Sequence, residues 1–227
     1  ANALALLVQG SNKGHERNAC PGSVLQASLS RYVRSSPCIP REIVSTGLVH
    51  AMIVVGGENL IDFIQVEKSG GRPEYRANAG GSPYNCAKAL GRLGESVAYL
   101  TPISSDSLGG FLAKELEDAG VSLLGDRREE PSSLAVVSIG EGGAPSYGFY
   151  RDGTAERQVT AQKLEEWMPS EARAFQLGSL SITDGEDAEE WKEFFSTMKG
   201  RGLFTSLDPN VRAAFIPDRD AYLARLD

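Results

Sequence analysis

Apolar positions recur at two distinct periods along most of this chain, and the alternation between them sets out its elements. Met52-Ile-Val-Val-Gly-Gly57 is a continuous apolar run closed by glycines, followed by the β-rich run Leu60-Ile-Asp-Phe-Ile-Gln-Val66. Together they predict a buried strand turning into its own continuation. From Pro83 to Leu93 the period changes to that of a helix, with Ala87, Leu90, Gly91 and Gly94 on one face, where the glycines would allow close packing on a sheet. Val97 to Thr101 is the next predicted strand. Leu108, Phe111, Leu112, Leu116 and Ala119 then repeat at helical spacing, with Asp106 or Ser107 as cap and Gly120 as stop. Strand, helix, strand, helix in this order implies parallel pairing.

Residues 134 to 151 break that rhythm. Leu134 to Ile139 and Ser146 to Arg151 are two β-rich runs joined by Gly140-Glu-Gly-Gly-Ala-Pro145, which predicts a hairpin. A hairpin has no place inside a parallel sheet, so a separate small sheet is expected, shared with residues 66 to 78 and able to cover a ligand. The α/β rhythm then resumes with a strand at Phe175 to Leu180. A helix follows whose Trp191, Phe194, Phe195 and Met198 form one stripe up to Gly200, and then a strand at Leu203 to Leu207.

Residues 1 to 51 carry no sustained period. They hold five basic residues against Glu16 and Glu42, a net charge of +3, while the chain as a whole is at −7. Met52 is the first methionine, and the expectation is that residues 1–51 are a non-native or transit-like segment and that residues 52–227 are the folding part. An acidic chain, with pI near 5.0, is not a general binder of nucleic acid or anionic membrane. It also lacks any run of about 18 apolar residues. Cys20, Cys38 and Cys86 have no metal-ligand spacing and fit a reducing compartment, so the expected location is cytoplasmic, or organellar if residues 1–51 are a transit peptide.

Both histidines, His15 and His50, precede Met52, which removes Ser-His and Cys-His catalysis and His-ligated metals from the folding part. Neither a glycine-lysine phosphate loop nor a dinucleotide glycine fingerprint occurs. The informative segment is Asn78-Ala-Gly-Gly-Ser-Pro-Tyr-Asn-Cys-Ala-Lys-Ala-Leu-Gly-Arg-Leu-Gly94, a glycine turn running into a helix start. Gly80 and Gly81 allow backbone to approach a ligand, Pro83 suits a first helical turn, and free N–H groups there would favour hydroxyl or anionic oxygen.

Around this turn stand polar residues at strand ends and loop-to-helix junctions, each with two readings. Asp62 interrupts an apolar strand, so it either faces a ligand or caps a neighbouring turn. Asn85 either holds a hydroxyl or caps locally. Arg151 ends a hairpin strand and is a ligand contact or an exposed surface arginine. Asp208-Pro-Asn-Val-Arg212 is a functional segment or a plain turn.

In this order the pieces resemble the ribokinase-like (PfkB) carbohydrate kinase family, in its fructokinase and 2-keto-3-deoxygluconate kinase branch. Gly57-Glu-Asn-Leu-Ile-Asp62 resembles the first-strand motif whose Asp binds sugar hydroxyls. Ala79-Gly-Gly-Ser-Pro-Tyr-Asn85 with Leu90-Gly-Arg-Leu-Gly94 resembles the first signature, and Ser105-Asp-Ser-Leu-Gly109 the D-x-x-G helix. Phe149-Tyr-Arg151 and Asp208-Pro-Asn-Val-Arg212 resemble segments whose arginines approach substrate.

The resemblance implies an α/β fold, a ribokinase-like three-layer Rossmann-like sheet with a small β lid made by strands around 66–78 and 134–151. It implies ATP-dependent phosphorylation of a sugar or sugar acid with Mg²⁺, allows a monovalent cation, and allows a homodimer through the lid. The residues it places on the substrate are Asp62, Gly80, Gly81, Asn85, Arg151 and Arg212. The family's second signature, a glycine loop ending G-A-G-D whose Asp is the catalytic base, has no counterpart before Asp227. That Asp is expected beyond Asp227, and the fragment alone is expected to be inactive. The rival functions are a non-catalytic sugar-binding regulator derived from a kinase and a nucleoside kinase of the same superfamily.

Overall fold

A computed structural model describes residues 51–69, 72–139, 145–211, 216 and 218–226. The expected leader, up to residue 50, lies outside the described residues. Five parallel strands make the central sheet: β1 (Met52–Gly57), β4 (Val97–Tyr99), β6 (Ser122–Leu123), β10 (Ala172–Gly178) and β11 (Phe204–Asp208), in the spatial order β11-β10-β1-β4-β6. Strand alternation puts the neighbours Val54 and Val55, both fully buried, into different cores. Val54 packs with Phe175, Leu177, Trp191, Phe194 and Met198, beneath α3 (Ala161–Trp167) and α4 (Glu186–Gly200). Val55 packs with Tyr84, Ala87, Tyr99, Leu112 and Leu116, beneath α1 (Ser82–Arg92) and α2 (Ser107–Glu117). Helices thus cover both faces, as an all-parallel sheet requires.

The Trp191 stripe is core, with Phe195 only partly buried against it. Trp191 stacks on Phe175 with ring centroids 6.4 Å apart. Gly56 makes room for it, since a Cβ there would stand 2.7 Å from the indole. Truncating so large a buried ring typically costs about 3–5 kcal/mol.

Three local expectations change. Leu60 to Val66 does not extend β1 within the central sheet. It belongs to β2 (Leu60–Ser69), which leaves that sheet after the two-residue link Glu58-Asn59 and pairs antiparallel with β3 (Arg72–Gly80). β2 also runs parallel to β8 (Leu134–Ile139), which pairs antiparallel with β9 (Pro145–Tyr150). The second sheet, ordered β3-β2-β8-β9, therefore begins at Leu60. Gly91 packs against the end of α2 rather than the central sheet, because a Cβ there would collide with the Ala119 carbonyl. Phe111 points outward and is 38% exposed.

Asp106 caps α2 as its spacing predicts. Its Oδ1 accepts from the Gly109 N–H at 2.6 Å, and the same carboxylate takes the Ser132 N–H and hydroxyl, tying α2 to the segment ahead of β8. These bonds hold the Asp106 carboxyl below its usual range although burial works against it. A short parallel pair, β5 (Ile103–Ser104) with β7 (Arg127–Arg128), two short 3-10 helices (Ala155–Arg157 and Ser179–Ile182) and α5 (Arg219–Leu226) complete the elements among the described residues. Among the described residues no helix is long and apolar enough to cross a membrane.

Candidate functional site

β1, β10 and β11 all end at the same edge of the central sheet, with Gly57 beside Gly178 and Gly178 beside Asp208 in register. Ligands of open α/β sheets bind at such carboxyl ends. The start of α1 stands at this edge. Pro83 meets Gly57, where a Cβ would lie 2.6 Å from the proline ring, and the Ser82 hydroxyl lies 3.5 Å from Asp208 Oδ2.

Asp62 sits on β2, on the other face from Ile61 and Phe63, opposite Asn78 in register, with its carboxyl reaching diagonally to Gly80. A Cβ on Gly80 would collide with Asp62 Oδ2 and stand 2.9 Å from its Cγ. Asp62 is half-buried, and burial raises its carboxyl above the usual range. Gly81 continues at φ 112°, a backbone shape that favours glycine, with the Glu58 carbonyl 2.5 Å from where a Cβ would be. Its own carbonyl accepts from the Asn85 N–H at 2.9 Å, closing the first turn of α1 and leaving Asn85 exposed. Asp62, Gly80, Gly81 and Asn85 thus follow one another across a strand end, a turn and a helical turn.

The helix start itself differs from expectation. Its Ser82 N–H is not free, because it donates to Glu58 Oε1 at 2.8 Å, and Pro83 has none to offer. The other Glu58 oxygen accepts from the Leu180 N–H at 3.0 Å. Glu58 is 2% exposed, and burial pushes its carboxyl up to about 8 against the pull of the Ser82 amide and Arg151. The first two positions of α1 therefore leave no free backbone donor.

Arg151 is not on the surface. Its Nε donates to Glu156 Oε1 at 2.7 Å, in an ion pair whose side chains are 8% and 1% exposed, and its Nη1 donates to the Leu180 carbonyl at 3.4 Å. Nη2 is buried with no partner among the described residues. Arg151 thus reaches the site through Glu58 and Leu180 and shares no hydrogen bond with Asp62 or Asn85. Arg212 lies outside the described residues. Asp208 ends β11 and closes the turn after it by accepting from the Asn210 N–H at 3.1 Å.

Sequence reasoning passed over Glu58, Ser179 and Asn210. Glu58 was visible as a carboxylate between two apolar runs. Ser179 and Asn210 are the non-glycine residues with positive φ among the described residues, at 69° and 39°, and they are joined by an Asn210 Nδ2 to Ser179 Oγ bond of 3.3 Å. Backbone strain of this kind collects at binding sites. A separate polar hollow of about 530 Å³ beside Arg128, Arg157 and Lys163 includes none of the predicted site residues. Its Arg157 is already held by Asp187 and the Asp184 carbonyl.

Sheet and flanking helices together define an α/β protein with a polar edge at the carboxyl ends of its parallel strands, where open α/β sheets hold their ligands, and with a second, four-stranded sheet. Residues 50–227 match the pfkB family carbohydrate kinase profile, and the chain belongs to that family. It is 32% identical over 176 residues to a fructokinase of Rhizobium leguminosarum bv. trifolii, covering 77% of this chain and 53% of the relative. A crystal structure of fructokinase with bound ATP from Xylella fastidiosa superposes with a TM-score of 0.71 at 30% identity, over 78% of this chain and 57% of that one. A fructokinase double mutant from Vibrio cholerae O395, in a form bound to fructose, ADP and potassium ion, shares the fold. Its TM-score is 0.63 at 22% identity, over 79% and 56% of the two chains. The chain spans about half the length of the curated relatives it matches.

Proposed function

We propose that this chain forms the sugar-holding part of an ATP-dependent kinase acting on a ketose or related sugar, fructokinase-like in its substrate class. One observation carries the reading: the half-buried Asp62 carboxylate, raised by desolvation alone, lies against Gly80 just ahead of the Gly81 turn. A carboxylate partly out of water at an open edge accepts hydrogen bonds from hydroxyls, at about 1.5–3 kcal/mol for each charged bond. Asn85, exposed one turn along α1, adds a donor and an acceptor that suit a second hydroxyl. Gly80 and Gly81 keep the main chain free of side chains there. Arg151, with its unused Nη2, and Arg212 are read as contacts to a ring-distal or anionic part of the substrate.

ATP would be the second substrate, and the bound nucleotides of the Xylella and Vibrio fructokinases support that choice. Mg²⁺ would arrive with the nucleotide and neutralise phosphate charge. Among the described residues no group of three or more His, Cys, Asp or Glu is placed to hold a metal, so none is assigned to it. Potassium in the Vibrio relative supports a monovalent cation as activator. The lid exposes Ile64, Val66, Tyr147 and Tyr150, which supports a homodimer through that sheet. Sedimentation equilibrium checks it, and a monomer at all concentrations would remove it.

Titration calorimetry of the chain with fructose, 2-keto-3-deoxygluconate and adenosine tests the main reading. Fructose should bind, and Asp62→Asn should weaken it at least tenfold. Binding of adenosine alone would move the protein to a nucleoside kinase.

A further inference from the structure

The part of the site that sequence reasoning missed is also the part that holds it together. Glu58 occupies the two-residue link between the central sheet and the lid, and it touches three other parts of the site. Its Oε1 receives the Ser82 N–H at the start of α1, and its Oε2 receives the Leu180 N–H in the turn after β10. Its backbone carbonyl lies beneath Gly81. That carbonyl follows Gly57, whose own N–H and carbonyl are held by Thr101 Oγ1 at 2.9 and 2.6 Å, with the Tyr99 hydroxyl on the same carbonyl at 2.8 Å. Glu58 therefore works from a rigid base.

We propose that Glu58 is a positioning residue for ligand binding, clamping the Gly81-Ser82 turn to the Ser179-Leu180 turn through two simultaneous carboxyl hydrogen bonds, so that the clamp is tightest when Glu58 carries its charge. This rests on the sugar reading of the Asp62 edge. Both Glu58 oxygens act as acceptors, and protonation makes one of them a hydroxyl oxygen, a weaker acceptor whose proton has to point away from the N–H, which loosens that bond. A glutamine at this position puts an amide nitrogen, which cannot accept, in place of one oxygen and loses that bond at every pH. Two charged groups act on Glu58: Arg151 just beyond β9 favours its charge and Glu156 beyond Arg151 opposes it, while Tyr99 on β4, its phenol raised by burial, stays neutral and adds no charge. Burial pushes the Glu58 carboxyl up to about 8, and Arg151, whose Nε is already paired with Glu156, offsets only part of this, so the neutral form of Glu58 is accessible near neutral pH.

The test uses the 227-residue chain, with fructose as probe. Amide resonances of Ser82 and Leu180 should titrate together with one midpoint near 8 in the wild type and stay still in Glu58→Gln. Fructose affinity should rise about tenfold from pH 6.5 to pH 9 in the wild type, the equivalent of one charge-assisted bond, and be flat with pH in the variant. Amides that ignore pH, or that titrate identically in the variant, overturn the clamp. If the variant does not fold, the wild-type amide titration decides alone. If both amides titrate as expected but fructose does not bind, the clamp stands and the sugar reading falls.

Discussion

Adding one methyl group at either of two adjacent glycines should separate stability from binding. In Gly80→Ala the new Cβ collides with Asp62 Oδ2 and stands 2.9 Å from Asp62 Cγ and 3.0 Å from Leu60 Cδ1. The obstructing atoms are ends of side chains, so Asp62 rotates away and the fold survives. Loss of glycine's unfolded-state freedom offsets part of the crowding, by about 0.4–1 kcal/mol, and the net change should stay within about 1 kcal/mol. The carboxylate, however, leaves the ligand. Losing one or more bonds to a charged acceptor removes about 1.5–3 kcal/mol of binding, roughly a ten- to 150-fold weaker fructose complex.

Gly81→Ala meets a different obstacle. Its φ of 112° costs a non-glycine residue about 1–3 kcal/mol, and the Cβ would stand 2.5 Å from the Glu58 carbonyl, which is backbone and cannot swing aside. The sum should be about 3 kcal/mol or more of lost stability. Urea denaturation and fructose calorimetry on both variants give the two axes. The reasoning is refuted if Gly80→Ala binds fructose within twofold of wild type, or if it is the less stable of the pair.

Arg151→Met leaves Glu156 charged, buried and without its cation, and should cost about 3–5 kcal/mol in urea denaturation at pH 7; a loss under about 1 kcal/mol would show that water already screens the pair. Glu58 binds a proton in the folded chain between pH 4.5 and about 8 that the unfolded chain has lost. Its contribution is therefore complete below pH 4.5 and disappears as pH rises through 8, at about 1.4 kcal/mol per unit. Stability of the wild type relative to Glu58→Gln should fall by about 4 kcal/mol from pH 5 to pH 8, and parallel curves would contradict it. With ATP, Mg²⁺ and fructose, the 227-residue chain should transfer phosphate no faster than background, because no G-A-G-D loop lies within it; steady turnover in a coupled ADP assay would refute this.

Elements legible in the sequence were those whose cause is local. The helical period from Pro83, the Asp106 cap and the Trp191 stripe each depend on residues within one or two turns, and each stands where its pattern put it. Gly80, Gly81 and Asn85 were legible for the same reason, as a turn and a helix start written in consecutive residues. Leu60 to Val66 was misplaced because period-2 alternation says which face a residue takes but not which sheet, and β2 is committed by partners as distant in sequence as Leu134 to Val137.

The role of Glu58 and the burial of Arg151 were not legible for a related reason. Charged residues default to the surface, and what buries these two is a set of partners, Ser82, Leu180 and Glu156, that only chain folding delivers. Residue type and spacing determined a glycine turn, a carboxylate on the strand before it and an amide in the first turn of the helix after it. Tertiary structure alone decided that the carboxylate behind that turn is buried and bound to two amides, because desolvation and hydrogen bonding depend on distance in space, not along the chain.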